Sequence, residues 1–281
     1  EMLFEITIFI FYTFFCLLSV LGYGVIFSKI FYNSSEKNLG ELGLFGFLIL
    51  FFISLFFHFF IPLAYLLNFL ILSLGFIVSI IKYKFIINQI AKIKTNFVIL
   101  SLIILPSILI YKTHGDYDWY HLPYVNYLNN FKIIFGLVNV QNNYAHGHGW
   151  MDIMGMFSLP IVGTKGISII ALIFFYYFIL YLVFEIKNTK LKSVKIYSII
   201  LIIFCFATYN KLFDFGAEIQ PALIIFVLIL NVLKLLNGNN KIEILNKITL
   251  YFFYAIVLRV GSVIILPFVL IVVLLNFNNF L

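Results

Sequence analysis

Long apolar runs separated by short polar connections make up most of the sequence. A membrane-spanning helix needs about 20 apolar residues, so runs of about this length predict transmembrane helices. The runs are Leu3–Phe27, Leu42–Phe60, Leu63–Ile81, Phe97–Tyr111, Ile167–Phe184, Val194–Thr208, Ile219–Leu236 and Ile248–Phe277. The pattern predicts an all-α protein: a polytopic transmembrane helical bundle of about 8–10 spans, with an external loop that carries amphipathic juxtamembrane helices.

Two apolar segments are ambiguous by length. The run Ile248–Phe277 is long enough for two spans, broken near Arg259, Gly261 and Ser262. The shorter segment Trp150–Val162 predicts either a further span or a segment lying in the membrane interface. The choice for this second segment decides the orientation of the later loops.

The composition agrees with lipid as the solvent for most of the chain. Of the 281 residues, 64% are hydrophobic and 10% are charged, whereas soluble domains carry roughly 25% charged residues. This difference excludes a soluble fold. Cys16 and Cys205 lie apart in apolar runs and predict neither a disulfide nor a thiolate metal site. The first run is too long for a cleaved signal peptide and is expected to stay in the membrane.

Lysine clusters between the apolar runs contribute strongly to the net charge of +7. Three connections hold more Lys than acidic residues: Lys82–Asn96, Glu185–Lys195 and Asn237–Lys247. Because lysine-rich loops stay in the cytoplasm, we expect all three to be cytoplasmic, and nucleic acid is not an expected partner. The loops Lys112–Gly149 and Tyr209–Glu218 are then external if residues 150–162 do not cross. A crossing would place the loop at 185–195 outside, so the lysine pattern favours no crossing.

We expect residues 1–281 to form a single transmembrane domain, with residues 112–150 as an external loop of catalytic type within it. The sequence begins with Glu and ends inside an apolar run, so it is compatible with the N-terminal part of a longer chain. No internal repeat or soluble domain is visible in the sequence.

Candidate chemistry concentrates in the first long loop. Three of the four Asp residues, four of the five His residues and both Trp residues lie between Lys112 and Asp152. The Asp and His residues are Asp116, Asp118, Asp152, His114, His121, His146 and His148. Polar residues collect in any long loop, which is one interpretation of this cluster. A functional site explains the concentration of Asp and His in a charge-poor protein better.

Asp116 and Asp118 directly follow an apolar run and should lie close to the external membrane surface. After them, aromatic residues recur at helical spacing, at Tyr120, Tyr124, Tyr127 and Phe131. This spacing predicts an amphipathic helix in the membrane interface, with Pro123 in its first turn. The helix is either part of a catalytic site or a surface helix without a catalytic part.

A carboxylate at the membrane surface can accept a proton from an acceptor hydroxyl while a sugar leaves a lipid phosphate. Such a base needs no metal if cationic side chains bind the phosphate; the candidates are Lys112, Lys132, Lys165 and Arg259. A divalent cation held by His146 and His148 with Asp116 or Asp118 is the alternative. We favour the interpretation in which these histidines donate hydrogen bonds or are structural.

Three further features stand outside the first loop. Asp214 and Glu218 are four residues apart before an apolar run, so they either share a helical face or compensate a helix N-terminus. Arg259, the only Arg, lies inside an apolar run and either contacts phosphate or lipid headgroups or marks a turn between two spans. We interpret His58, alone among Phe residues, as structural.

The stretch Gly115–Gly163 resembles the first large external loop of the GT-C superfamily of polytopic glycosyltransferases. This superfamily includes the protein O-mannosyltransferases and the lipid A aminoarabinose transferases. The matching residues are Asp116, Tyr120, His121, Leu122, Pro123, Gly136, Leu137, Asn139, His148, Trp150 and Gly163, with the opening strings Leu21–Gly24 and Asn38–Glu41 in addition. The sequence departs from the pattern in its Asp-Tyr-Asp acids, which are adjacent in the family, and in the several spans before the loop.

The resemblance implies that Asp116 is a catalytic carboxylate with Asp118 as its partner. The donor would be a polyprenyl-phosphate-linked sugar, and the acceptor a glycan, lipid or protein. Substrate-binding residues are expected among Tyr120, His121, His148, Trp150, Arg259, Asp214 and Glu218. The similarity to uncharacterised bacterial members implies a multi-pass protein of the bacterial inner (plasma) membrane, acting on the cell envelope among membrane lipids and other membrane proteins.

Three other functions are compatible with the sequence. An O-antigen polymerase or ligase would be expected to use external Arg and His, but the chain has only one Arg. A transporter would be expected to show repeated halves or paired broken helices, which are not visible. A non-catalytic subunit of a membrane complex would use its aromatic spans for packing against partners.

Overall fold

The structure, a computed structural model, describes residues 2–31, 38–109, 115–139, 149–163, 165–209, 219–237 and 241–276. The helices are α1 (Met2–Phe31), α2 (Leu39–Phe60), α3 (Tyr65–Ile81), α4 (Tyr83–Lys92), α5 (Lys94–Ile104), α6 (Leu122–Asn130), α7 (Gly149–Met156), α8 (Lys165–Asn188), α9 (Lys192–Ala207), α10 (Ile219–Asn237), α11 (Lys241–Leu258) and α12 (Leu266–Leu275). The same ranges contain 3-10 segments at Leu105–Leu109, Leu137–Asn139 and Val260–Ile265, a π-helical turn at Tyr117–His121, and no β-strand. The described chain is therefore all-helical, as the sequence predicts.

Within the described ranges, four helices are long and apolar enough to cross a membrane: α1, α2, α8 and α10. The pair α3 and α4 passes the same test as one span bent by 72°. These apolar helices are typical of a membrane protein. Helix α5 has 11 residues and is shorter than the predicted run Phe97–Tyr111. Helix α9 has 16 residues, about the length of its run, and the last run is divided into α11, a 3-10 segment and α12. Pro106 accounts for the early end of α5, since proline cannot continue an α-helix, and the chain goes on as a 3-10 segment.

Helix α8 is the centre of the bundle. It packs against α1, α2, α5 and α9, and every residue from Ile169 to Leu182 is buried. A helix that is apolar on all its faces is stable only when other helices or lipid surround it. Apolar residues cover all faces of α8, which is consistent with its position at the centre of the bundle.

Helices α1 and α2 approach each other closely at two glycines. A Cβ atom on Gly24 of α1 would lie 1.8 Å from the Leu42 carbonyl oxygen of α2. A Cβ atom on Gly46 of α2 would lie 1.9 Å from the Val20 carbonyl oxygen of α1. Small residues let membrane helices pack backbone against backbone. The two glycines therefore allow the close packing of α1 against α2.

We expect Gly46→Ala to destabilise the protein by about 1–3 kcal/mol, because the added methyl group meets a backbone oxygen that cannot rotate away. Unfolding by titration with denaturing detergent in mixed micelles measures the effect. Gly115→Ala is the matched control, since an added Cβ there has no atom within 4 Å. Equal stability of the two variants would show that the close approach of α1 and α2 is not required.

The three lysine-rich connections meet at one end of the bundle, hereafter the lysine-rich end. Lys187 Nζ donates to the Lys92 carbonyl oxygen at 2.6 Å. Lys234 lies 2.8 Å from Glu185, and Lys247 lies 3.1 Å from Glu41 at the start of α2. The lysine pattern therefore correctly predicted that these connections share one face.

Helices α6 and α7 lie at the opposite end, hereafter the α6 end. The Leu63 amide, beyond the end of α2, donates to the Leu128 carbonyl oxygen of α6 at 2.9 Å. Asn68 near the start of α3 donates to the Gly155 carbonyl oxygen of α7 at 3.0 Å. Helix α7 has eight residues, a length of about 12 Å at 1.5 Å per residue, which is too short to cross a membrane. The segment Trp150–Val162 thus does not form a span, in agreement with the lysine pattern.

Candidate functional site

The acidic segment, Gly115–His121, enters the α6 end as a wide helical turn. The backbone amides of Tyr120 and His121 both donate to the Asp116 carbonyl oxygen, at 2.9 and 3.3 Å. The resulting π-helical turn continues directly into α6. Such turns recur at functional sites because they present side chains that a regular helix would not.

The wide turn separates polar from buried side chains. The side chains of Asp116 and Asp118 are exposed, and Trp119 between them and α6 is 79% exposed. Tyr117 and His121 are buried on the opposite side of the turn. The two predicted carboxylates are therefore accessible at the surface, while their neighbours anchor the segment.

A row of aromatic rings follows the acids along α6. The ring centroids of Tyr120 and Tyr124 are 6.1 Å apart, those of Tyr124 and Tyr127 are 5.8 Å apart, and those of Tyr127 and Phe131 are 6.0 Å apart. The predicted aromatic face is thus confirmed as one continuous row. Pro123 occupies the first turn of α6, as the sequence predicts.

The end of α6 is attached to the end of α2 through His58. The His58 carbonyl oxygen accepts from the Ile133 amide at 3.0 Å, and His58 Nε2 lies 3.0 Å from the Phe131 carbonyl oxygen. Tyr127 closes the same turn, because its hydroxyl donates to the Lys132 carbonyl oxygen at 3.0 Å and accepts from the Ile134 amide at 2.6 Å. These contacts fix the helix that carries the acidic segment.

His58 also faces a largely buried acid, Asp152 of α7, which packs against α6. His58 Nδ1 lies 3.8 Å from Asp152 Oδ1 of α7, and the side chains are 2% and 13% exposed. Burial raises the pKa of Asp152 to about 7, because a carboxylate loses its hydration there. Burial also raises the pKa of Tyr127, to which the Asp152 charge adds a smaller effect.

The pair of His58 and Asp152 is not predicted by the sequence. His58 is expected there to be structural, and Asp152 belongs to the cluster of the first loop without an assigned role. The available signal was Asp152 inside the apolar segment Trp150–Val162, since a charged group among apolar residues is costly and by default a functional candidate.

Trp150 and Arg259 lie in different surroundings. Trp150 is fully buried in the core, with its ring centroid 5.4 Å from Phe174 and 6.0 Å from Phe47. Its contribution to substrate binding stays a prediction. Arg259 lies at the break between α11 and the following 3-10 segment, in an extended conformation with φ −154° and ψ 118°. Arg259 thus lies at a break in the last apolar run, whereas its role as a turn between two spans stays a prediction.

Arg259 belongs to the α6 end of the bundle. A Cβ atom on Gly149, the first residue of α7, would lie 2.4 Å from the Val257 carbonyl oxygen of α11. The arginine follows this contact in the chain and is partly exposed. A phosphate contact therefore remains open to it alongside its place in the turn. Lys132, which follows α6, is exposed at the same end.

Several predicted residues lie outside the described residues. They are Lys112, His114, His146, His148, Asp214 and Glu218. Among the residues that the structure does describe, no three His, Cys, Asp or Glu side chains come together as metal ligands. The alternative of a divalent cation bound by His146 and His148 therefore stays a prediction.

Comparison with known proteins gives a family for the whole chain. No curated protein and no solved structure matches it significantly. The match to a family extends over residues 2–281. The chain thus belongs to the DUF8201 family, which is described as a domain of unknown function.

Proposed function

We propose that this protein transfers a sugar from a polyprenyl-phosphate-linked donor to an acceptor hydroxyl at the α6 end of the bundle, with Asp116 as the general base. The observation that carries the proposal is the exposed pair of carboxylates, Asp116 and Asp118, on a π-helical turn that leads into a firmly attached aromatic helix. Carboxylates beside flat rings suit a sugar, which offers both hydroxyl groups and an apolar face.

The proposed arrangement is a polytopic protein of the bacterial inner membrane. The lysine-rich end would face the cytoplasm, and the α6 end would face the outside. Helix α6 would then lie in the external interface, where Tyr residues are favoured. In this orientation the exposed carboxylate of Asp116 would lie at the depth of the phosphate of a lipid-linked sugar.

The proposed reaction has one proton transfer and one displacement. The Asp116 carboxylate takes the proton of the acceptor hydroxyl, and the acceptor oxygen forms a bond to the anomeric carbon of the sugar. The bond between that carbon and the phosphate oxygen breaks, and its electron pair leaves with the polyprenyl phosphate. Asp118 would orient the acceptor, and Arg259 would neutralise the leaving phosphate.

An apolar cleft beside α1 supports a donor with a lipid tail. It has a volume of about 470 Å³ and lies between α1 and the chain from α5 to Leu109, lined by residues such as Phe14 and Leu102. A second cleft of about 240 Å³ shares Phe14 and Ser101 with it and continues toward α4. The first cleft reaches the 3-10 segment that precedes the acidic segment. An isoprenoid chain in these clefts would bring its phosphate toward Asp116.

Reconstitution of the protein in vesicles with radiolabelled donors tests the proposal. We expect label to move from a polyprenyl-phosphate sugar to acceptors, or to water, and not from the nucleotide-activated form of the same sugar. Empty vesicles are the control. Absence of transfer from a panel of polyprenyl-phosphate sugars, by protein that remains folded, would overturn the proposal in favour of a non-catalytic subunit or a transporter.

A further inference from the structure

The pair of His58 and Asp152 joins three helices at the α6 end. His58 lies near the end of α2, Asp152 lies on α7, and the His58 ring contacts the Tyr127 ring of α6 with centroids 5.9 Å apart. The two residues are distant in sequence and both are withdrawn from solvent. The two side chains are within ion-pair distance, and they form an ion pair when the imidazole is protonated and the carboxyl group is ionised.

The hydrogen bonds of His58 determine how many protons the pair holds. A carbonyl oxygen only accepts, so His58 Nε2, at 3.0 Å from the Phe131 carbonyl oxygen, carries a proton and donates it. The neutral imidazole therefore presents the Nδ1 lone pair to Asp152. One further proton, on Nδ1 or on the carboxyl group, makes this contact favourable; without it, a lone pair faces a buried carboxylate.

The same histidine holds the chain that follows α6. Its carbonyl oxygen accepts from the Ile133 amide, and its ring donates to Phe131. Any movement of His58 away from an ionised Asp152 would therefore weaken two contacts between α2 and the end of α6. The state of the pair is coupled to the attachment of the helix that carries the acidic segment.

We infer that His58 and Asp152 form a positioning pair, which holds α6 and the acidic segment in place while the pair shares one proton and loosens them when that proton is lost. The attachment itself stands on the contacts of His58, whereas its consequence for sugar transfer rests on the proposed function. Neither residue touches the exposed acids in this arrangement, so both act through the position of α6.

Four helices pack against α7: α2, α6, α8 and α11. Within the described chain, the titratable groups that face Asp152 are His58 from α2, at 3.8 Å, and Tyr127 from α6, whose pKa the Asp152 charge raises. No ion pair among the described residues joins Asp152 to α8 or α11. The pH response at this position therefore depends on Asp152 and its histidine partner.

The direction of the pH effect follows from the raised pKa of Asp152, about 7 in the fold against about 3.9 for an exposed Asp. Burial lowers the pKa of His58, which has the opposite effect: below about pH 6.5 the detached state gains a proton on His58 that offsets the proton held by Asp152. Above about pH 6.5 Asp152 alone differs between the two states, so attachment is lost as the pH rises through about 7, and the effect levels off above that value.

Hydrogen exchange of the reconstituted protein tests the pair without any donor. We expect protection of the Ile133 amide, corrected for the intrinsic exchange rate, to fall by about two- to fourfold between pH 6.5 and pH 8. Amides of the central helix α8 should keep their protection and serve as the internal control. Unchanged Ile133 protection over this range in the wild-type protein would overturn the inference.

Asp152→Asn separates the pair from a general effect of pH. The amide side chain keeps the shape of a protonated Asp and cannot ionise, so Ile133 protection should no longer fall between pH 6.5 and pH 8. Glu243→Gln removes an exposed carboxylate on the opposite end and should retain the wild-type pH response. An unaltered pH response in Asp152→Asn would refute the positioning pair, whatever the outcome of the transfer assay.

Discussion

Asp116→Asn is expected to reduce sugar transfer by about 10²–10⁴-fold, the usual contribution of a general base. The amide keeps the size of the side chain but cannot accept the proton of the acceptor hydroxyl. The side chain is exposed, so the folded structure should be retained. Initial rates with the labelled polyprenyl-phosphate donor, at saturating and limiting donor concentrations, measure the loss, which we expect mainly in kcat.

Two variants provide the comparison for Asp116. Asp118→Asn should cause a smaller loss, since this side chain is proposed to orient the acceptor and not to remove its proton. Glu243→Gln changes an exposed carboxylate to an amide at the lysine-rich end and should leave transfer unchanged. Wild-type rates for Asp116→Asn would keep the reaction class but remove Asp116 from the role of base.

Lys247→Met is expected to destabilise the fold by about 3 kcal/mol, because it leaves Glu41 as a buried charge with fewer partners. The Glu41 carboxylate accepts from Lys247 Nζ at 3.2 Å and from the Tyr251 hydroxyl at 2.9 Å. Both side chains of the ion pair are less than one fifth exposed. Equilibrium unfolding in mixed detergent micelles measures the change.

Removing both charges separates the ion pair from simple loss of packing. The double variant Glu41→Gln with Lys247→Met should recover most of the lost stability, since no buried carboxylate remains. Lys190→Met removes an exposed lysine at the same end and is the matched control. A double variant as unstable as Lys247→Met alone would show that packing of the lysine side chain, and not its charge, is the important contribution.

Local patterns were sufficient to predict much of the α6 end. Asp116 and Asp118 follow an apolar run, and the aromatic spacing from Tyr120 to Phe131 is that of a helical face, so exposed acids beside an aromatic row could be expected from sequence. The same holds for the lysine-rich end, because Lys is excluded from the membrane interior wherever the chain folds. The lysine pattern also favoured an arrangement in which residues 150–162 do not cross, where segment length alone was ambiguous.

Other features could not be obtained from local patterns. The early end of α5 at Ile104 depends on how Pro106 is accommodated, although the apolar run continues to Tyr111. The close approach of Gly24 and Gly46 to neighbouring backbones depends on the crossing of α1 and α2. Trp150 belonged to an apparent substrate loop in the sequence, but the structure places it in the core.

Three features of this protein follow from the sequence alone. The apolar runs determined the helical class, the lysine distribution determined the two ends of the bundle, and the aromatic spacing predicted the helix beside the exposed acids. These features depend on whether residues close together in the chain prefer water or an apolar environment. The pairing of His58 with Asp152 and of Glu41 with Lys247 was decided only by tertiary structure. Each pair joins residues from separate helices. Burial of the pair then determines whether its carboxyl group is protonated or ionised. Those are properties of the packed bundle, which no single segment contains.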